Sequence, residues 1–150
     1  MEKTTSQENP RKPMKKYADP DLNAFSSHFL NSAGYENDVL GNLLEDTNED
    51  TVLRILAHFN ENLKEGVAKI KDAILKENIE SVWKTAHKIA GSAELLGFRD
   101  YANRSRELSH IVRETTDFKS HFDEINTYLK ATEVLTADIA STCPGLGSYL

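Results

Sequence analysis

Hydrophobic residues recur at helical spacing along most of the chain, and the clearest run is Val52, Ile55, Leu56, Phe59, Leu63, Val67, Ile70, Ala73 and Ile74. Intervals of three and four place them on one stripe of a helix turning about 100° per residue, which predicts about six turns with one buried face. The run stops at Lys76-Glu77-Asn78. Asn78 suits a helix N-cap because its side-chain oxygen accepts from a backbone N–H of the next turn, and so short a connection makes the following helix antiparallel. That helix is predicted over residues 79–96, with Val82, Ala86, Ile89, Ala93 and Leu96 as its seam. A third long helix starts near Arg99 and buries Tyr101, Ala102, Ser105, Leu108 and Val112. A fourth follows Asp117 and carries Phe118, Phe122, Ile125, Leu129, Thr132 and Ile139. No segment competes as a strand.

Upstream, Asp21 opens a short helix carrying Leu22, Phe25, Phe29 and Leu30 that ends near Gly34, and a brief apolar segment holds Val39, Leu40, Leu43 and Leu44. Residues 1–20 are polar, hold Pro10, Pro13 and Pro20, and have no periodicity, which predicts a disordered lead-in. Residues 141–150 are rich in helix breakers and predict a flexible tail. The expected fold of residues 21–140 is all-α, an up-down-up-down four-helix bundle with additional short N-terminal helices laid across one end or side. A chain of 150 residues suffices for one such core and leaves little for a second.

The second long helix carries the chemistry. His87 lies about a third of a turn from the apolar seam, so it faces solvent or the seam's edge. Trp83, Lys84, Gly91 and Glu94 fall in its angular sector, and Ala90 borders it on the core side. A glycine inside a helix costs about 1 kcal/mol relative to alanine, so Gly91 beside an exposed histidine points to a place where something approaches closely. Gly97, where the stripe ends, reads as a C-terminal stop. A neutral imidazole at physiological pH is a good nucleophile toward phosphorus. Lys84 and Lys88 give a local positive field, each contributing on the order of 1 kcal/mol toward a phosphoryl group of about −2 charge, and less in salt.

The run Ala86-His87-Lys88-Ile89-Ala90-Gly91-Ser92-Ala93-Glu94-Leu95-Leu96-Gly97-Phe98 resembles the signature of histidine-containing phosphotransfer domains, with matches at His87, Ile89, Gly91, Ser92, Ala93, Leu96 and Gly97. Leu43 to Ala90 is similar to the family's long helix, short turn and histidine helix, and Tyr101 to Arg113 to the helix after it, about half the chain in all. Many members carry Lys or Arg three residues after the histidine, where this chain has Ala90, and others have a small residue there. The resemblance implies a four-helix-bundle phosphorelay intermediate of two-component signalling. It would accept a phosphoryl group on His87 from the aspartate of one receiver domain and pass it to another receiver. Lys84 and Lys88 would stabilise the group, and Trp83, Ala90, Gly91 and Glu94 would dock the partner. Mg²⁺ is expected only in the partner receiver domain, so the chain itself would hold no cofactor and no metal. Arg113 falls where the family often has a basic residue near the site, and a solvated face weighs equally; Ser92 reads as a small packing residue.

The remaining composition narrows the class. No Gly-x-x-x-x-Gly-Lys-Ser/Thr loop and no Gly-x-Gly-x-x-Gly is present, so the chain is not expected to take phosphoryl groups from ATP. The net charge of −6 argues against binding nucleic acid. Cys143 is the one cysteine, which excludes an internal disulfide and fits a reducing compartment. With no apolar run approaching the ~18 residues of a span and no secretory leader, a cytoplasmic monomer is expected. Glu107-x-x-His110 lacks the second copy that a di-iron bundle needs, and His28, His58 and His121 have no ligand spacing. The rival reading is a non-phosphorylated helical adaptor that docks receiver or kinase domains without transfer, and Ala90 is the residue that favours it.

Overall fold

The computed structural model describes Leu22, Phe25, His28, Phe29 and residues 35–150. Over that range the chain forms α1 (Asn37–Asp46), α2 (Glu49–Leu75), α3 (Ile79–Leu95), α4 (Arg99–Glu114) and α5 (Phe122–Thr142), with 3-10 turns at Phe118–His121 and Leu146–Tyr149. α2 packs against α3 and α5, α3 against α4, and α4 against α5, so the four long helices close a ring; α1 lies on α2. The result is an all-α bundle of five packed helices. None of its helices, among the described residues, is long and apolar enough to cross a membrane.

Local chemistry sets the helix ends. Asn48 accepts the Thr51 backbone N–H at 2.8 Å, and Glu49 and Asp50 place negative charge against the positive end of the α2 dipole. Asn78 accepts the Ser81 N–H at 3.1 Å and starts α3, after a turn in which Glu77 takes φ 53°. α3 stops at Gly97, whose φ of 92° disfavours a side chain, and a Cβ there would also stand 2.6 Å from the Glu36 carbonyl oxygen. That closeness has a use: the Glu36 N–H donates to the Gly97 carbonyl at 2.8 Å and ties the entry of α1 to the exit of α3. Around this tie Phe25, Phe29, Tyr35, Phe59 and Phe98 pack ring against ring, with Phe59 and Phe98 stacked at 5.5 Å. Burial pushes the Tyr35 phenol up to about 12.

The α3 seam is buried throughout, with Val82, Ala86, Ile89, Ala93 and Leu96 at 6% exposure or less. Burying a side chain of this size contributes about 1.5–3 kcal/mol for each large aliphatic. Between α4 and α5 the core is polar but satisfied: Tyr101 Oη lies 2.6 Å from Thr132 Oγ1, and Tyr128 Oη lies 2.7 Å from Ser105 Oγ. Burial raises the pKa of both phenols above the usual tyrosine value. Ile55, placed in the α2 seam by its spacing, instead sits 37% exposed at the seam's open edge.

The structure also differs from expectation at the chain ends. The additional element it adds is C-terminal: residues 141–150 are packed rather than loose, with Cys143 and Leu146 buried and the turn Leu146–Tyr149 lying on α2. Gly145 takes a left-handed φ of 82°, so the breaker residues reverse the chain onto the bundle. The lead-in over 1–20 lies outside the described residues, as does most of the short helix expected over 21–34. From that helix Leu22, Phe25 and Phe29 are buried in the core.

Candidate functional site

His87 stands in the middle of α3, exposed, and makes no hydrogen bond or ion pair among the described residues. A neutral nitrogen without a partner keeps its lone pair available. One turn further on, Gly91 is exposed, and a Cβ built there would meet no heavy atom within 4 Å. No side chain stands at this position, one turn along the helix from the imidazole.

One turn earlier, Trp83 is half-buried, and its carbonyl accepts from Ser109 Oγ at 2.9 Å, which holds α4 against α3 at this level. Two cations lie over its indole: the Arg113 guanidinium at 5.1 Å from the ring centroid and the Lys84 ammonium at 5.8 Å. Such contacts are worth about 0.5–1 kcal/mol where solvent reaches them. Lys84 also pairs with Glu80 at 3.1 Å, so its charge is shared between a carboxylate and an aromatic face. Lys88 has no ion pair among the described residues and is exposed on the rim of a groove of 320 Å³ between α2 and α3, where Glu65, Lys69 and Ser92 also stand. Ser92 is half-buried, and its hydroxyl donates to the Lys88 carbonyl at a long 3.5 Å, in keeping with a packing residue.

Glu94, expected as a docking residue, is exposed but engaged. It forms an ion pair with Arg106 of α4, whose guanidinium also donates to Asn103 Oδ1 at 3.0 Å. Ala90, expected as a docking residue on the core-side border of the site, is 1% exposed, so its side chain offers almost no surface to a docking partner. Angular position alone put it at the border of the site; the neighbouring structure covers it.

The site thus brings His87, Trp83, Lys84, Gly91 and Glu94 onto one face, turns Lys88 toward the α2–α3 groove and leaves Ala90 inside. Two contributors escaped the sequence reading. Arg106 reaches the face from another helix, so no i,i+4 spacing reveals it. Gly66 of α2 lies under α3, where a Cβ would come 2.7 Å from Ile89 Cδ1, and its lack of a side chain lets the two helices approach at the level of the histidine. Its signal was an interior glycine in the strongest helical run of the chain. No group of three or more metal-ligating side chains gathers anywhere among the described residues, the Glu107-x-x-His110 pair included.

No protein-family model matches the chain, and neither a curated protein nor a solved structure does. The geometry of the α3 face carries the functional reading.

Proposed function

We propose that this protein is a histidine phosphotransfer intermediate that accepts a phosphoryl group on His87 from a receiver-domain aspartate and passes it to another receiver. One observation carries the reading: an exposed imidazole without an internal partner stands beside a helix-interior glycine whose missing side chain leaves the approach open. The resemblance of residues 86–98 to the phosphotransfer signature, which includes both of these residues, supports the same reading. In the transfer, an imidazole nitrogen forms the N–P bond as the P–O bond of the aspartyl phosphate breaks, and the aspartate leaves with the bonding pair as a carboxylate. The proton on the other ring nitrogen exchanges with water at this exposed position. Lys84, Lys88 and Arg113 bring positive charge to a group carrying about −2. The partner supplies Mg²⁺ and the carboxylates that hold it. The protein acts in this reading as a cytoplasmic monomer without kinase activity of its own.

The test is transfer of labelled phosphate from a phosphorylated receiver. Acid-labile, alkali-stable label on the wild type, lost in His87→Gln with helicity and thermal midpoint nearly unchanged, is the expected outcome. The adaptor reading, which the uncharged Ala90 favours, predicts receiver binding with no label, and that result would overturn transfer.

A further inference from the structure

We propose that Arg106 stabilises a phosphoryl group on His87 and that Glu94 holds it in readiness when the histidine is bare. The inference deepens the phosphotransfer reading and rests on it for its role in the cell. It starts from the ion pair between Arg106 and Glu94, which crosses from α4 to α3 on the face that bears the imidazole.

Glu94 follows His87 by about two helical turns and lies about 20° from it around the axis, so the two side chains point the same way roughly 10 Å apart. The residue between them on that face is Gly91, with nothing within 4 Å of its Cβ position. Gly91 therefore places no side chain between a cation at Glu94 and the imidazole. Both partners of the pair are exposed, with side chains 44% and 54% accessible for Arg106 and Glu94, and the other hydrogen bond of the guanidinium, to Asn103 on its own helix, is exposed too. The planar fork of arginine suits phosphoryl oxygens, where two parallel N–H donors meet two acceptors.

The charges give the direction. Bare His87 offers the guanidinium nothing, and Glu94 offers one negative charge. A phosphoryl group on His87 offers about two. Lys84 has two partners of its own, Glu80 and the Trp83 ring, and flanks the imidazole on the side away from Arg106. Ala90, buried, leaves no cation of α3 on the α4 side of the imidazole, and Arg106 comes from that side. The carboxylate of Glu94 also keeps net positive charge low around the unmodified site.

The experiment needs no receiver. Phosphoramidate donates a phosphoryl group to an exposed imidazole, the new N–P bond forming as its own P–N bond breaks with release of ammonia. Phosphohistidine 87, located by mass spectrometry, is followed by phosphorus NMR through the second ionisation of the phosphoryl group. In the wild type the nearby guanidinium favours the dianion, so Arg106→Gln should raise the titration midpoint by about one pH unit. Arg106→Lys should restore part of the shift, and Glu94→Gln should lower the midpoint below that of the wild type. Lys84, Lys88 and Arg113 are common to all four proteins, so the differences isolate the Arg106–Glu94 pair. Equal midpoints in wild type and Arg106→Gln would overturn the proposal. A shift without any transfer to or from receivers would support the role of Arg106 and overturn the phosphorelay reading, so the two fail separately.

Discussion

Gly91→Ala and Gly91→Gln separate what the site needs from what the fold needs. Gly91 is interior to a helix of 17 residues, and its Cβ position is empty out to 4 Å, so alanine adds no collision. The intrinsic helix preference of alanine over glycine then stands alone, and each folded molecule gains about 1 kcal/mol. In a chain of this size that raises the thermal midpoint by about 2–4 °C, readable by circular dichroism. Glutamine has nearly the same helix preference and brings a similar gain, but it fills the approach to the imidazole and should slow phosphoryl transfer at least about tenfold, equivalent to ~1.4 kcal/mol of barrier. Gly66→Leu is the reciprocal control. There the first added carbon already lies 2.7 Å from Ile89 Cδ1, and overpacking costs about 1–3 kcal/mol, so the midpoint should fall. A Gly91→Ala protein less stable than the wild type, or a Gly91→Gln protein that transfers at the wild-type rate, would refute the assignment of this glycine to partner approach.

Three further outcomes are expected. The phenols of Tyr101 and Tyr128 titrate higher in the folded state than in the unfolded chain, so the folded state keeps protons that the unfolded chain gives up. The contribution of these phenols to stability should therefore be flat below about pH 10 and fall above it, by up to about 1.4 kcal/mol per pH unit for each phenol; urea titrations across that range check it, and a Tyr101→Phe/Tyr128→Phe protein should keep only the part of the slope that the buried Tyr35 phenol supplies. Arg113→Ala removes a guanidinium from over the Trp83 ring, so the tryptophan emission should change with the folding free energy within about 1 kcal/mol of wild type, and unchanged emission would argue against the contact. Cys143 is buried beneath the C-terminal turn, so its labelling by a thiol reagent should track opening of the fold, and rapid labelling under native conditions would contradict the packing of residues 141–150.

Features that depend on neighbours along the chain were legible in the amino-acid sequence. The α3 seam follows from a period near 3.6, Asn78 caps because its side chain reaches the third residue on, and Gly97 ends a helix because of its own φ. His87 faces solvent for the same angular reason. What escaped depends on neighbours across the fold. Ala90 looks like a rim position when α3 is viewed alone and proves buried once the rest of the bundle is in place. Arg106 belongs to a helix whose register relative to α3 is fixed only by packing. The residues after Thr142 read as breakers, and breakers signal a change of direction without telling where the chain goes next. The turn that begins at Leu146 finds α2, a contact with long sequence separation and no local trace.

The hydrogen bond from Glu36 to Gly97 gives the histidine helix a fixed exit, and the Asn78 N–H, which donates to the Ala73 carbonyl of α2 at 2.8 Å, gives it a fixed entry. A rod clamped at both ends neither slides nor spins without breaking a clamp, so His87 is presented at one height and one azimuth. Adjustment during any encounter then falls to the visiting protein and to the long side chains around the imidazole. The exit clamp is built from the segment that precedes α1, so residues more than fifty positions upstream set the aim of the imidazole, and mutations around Tyr35 should be read for misdirected chemistry as well as for lost stability.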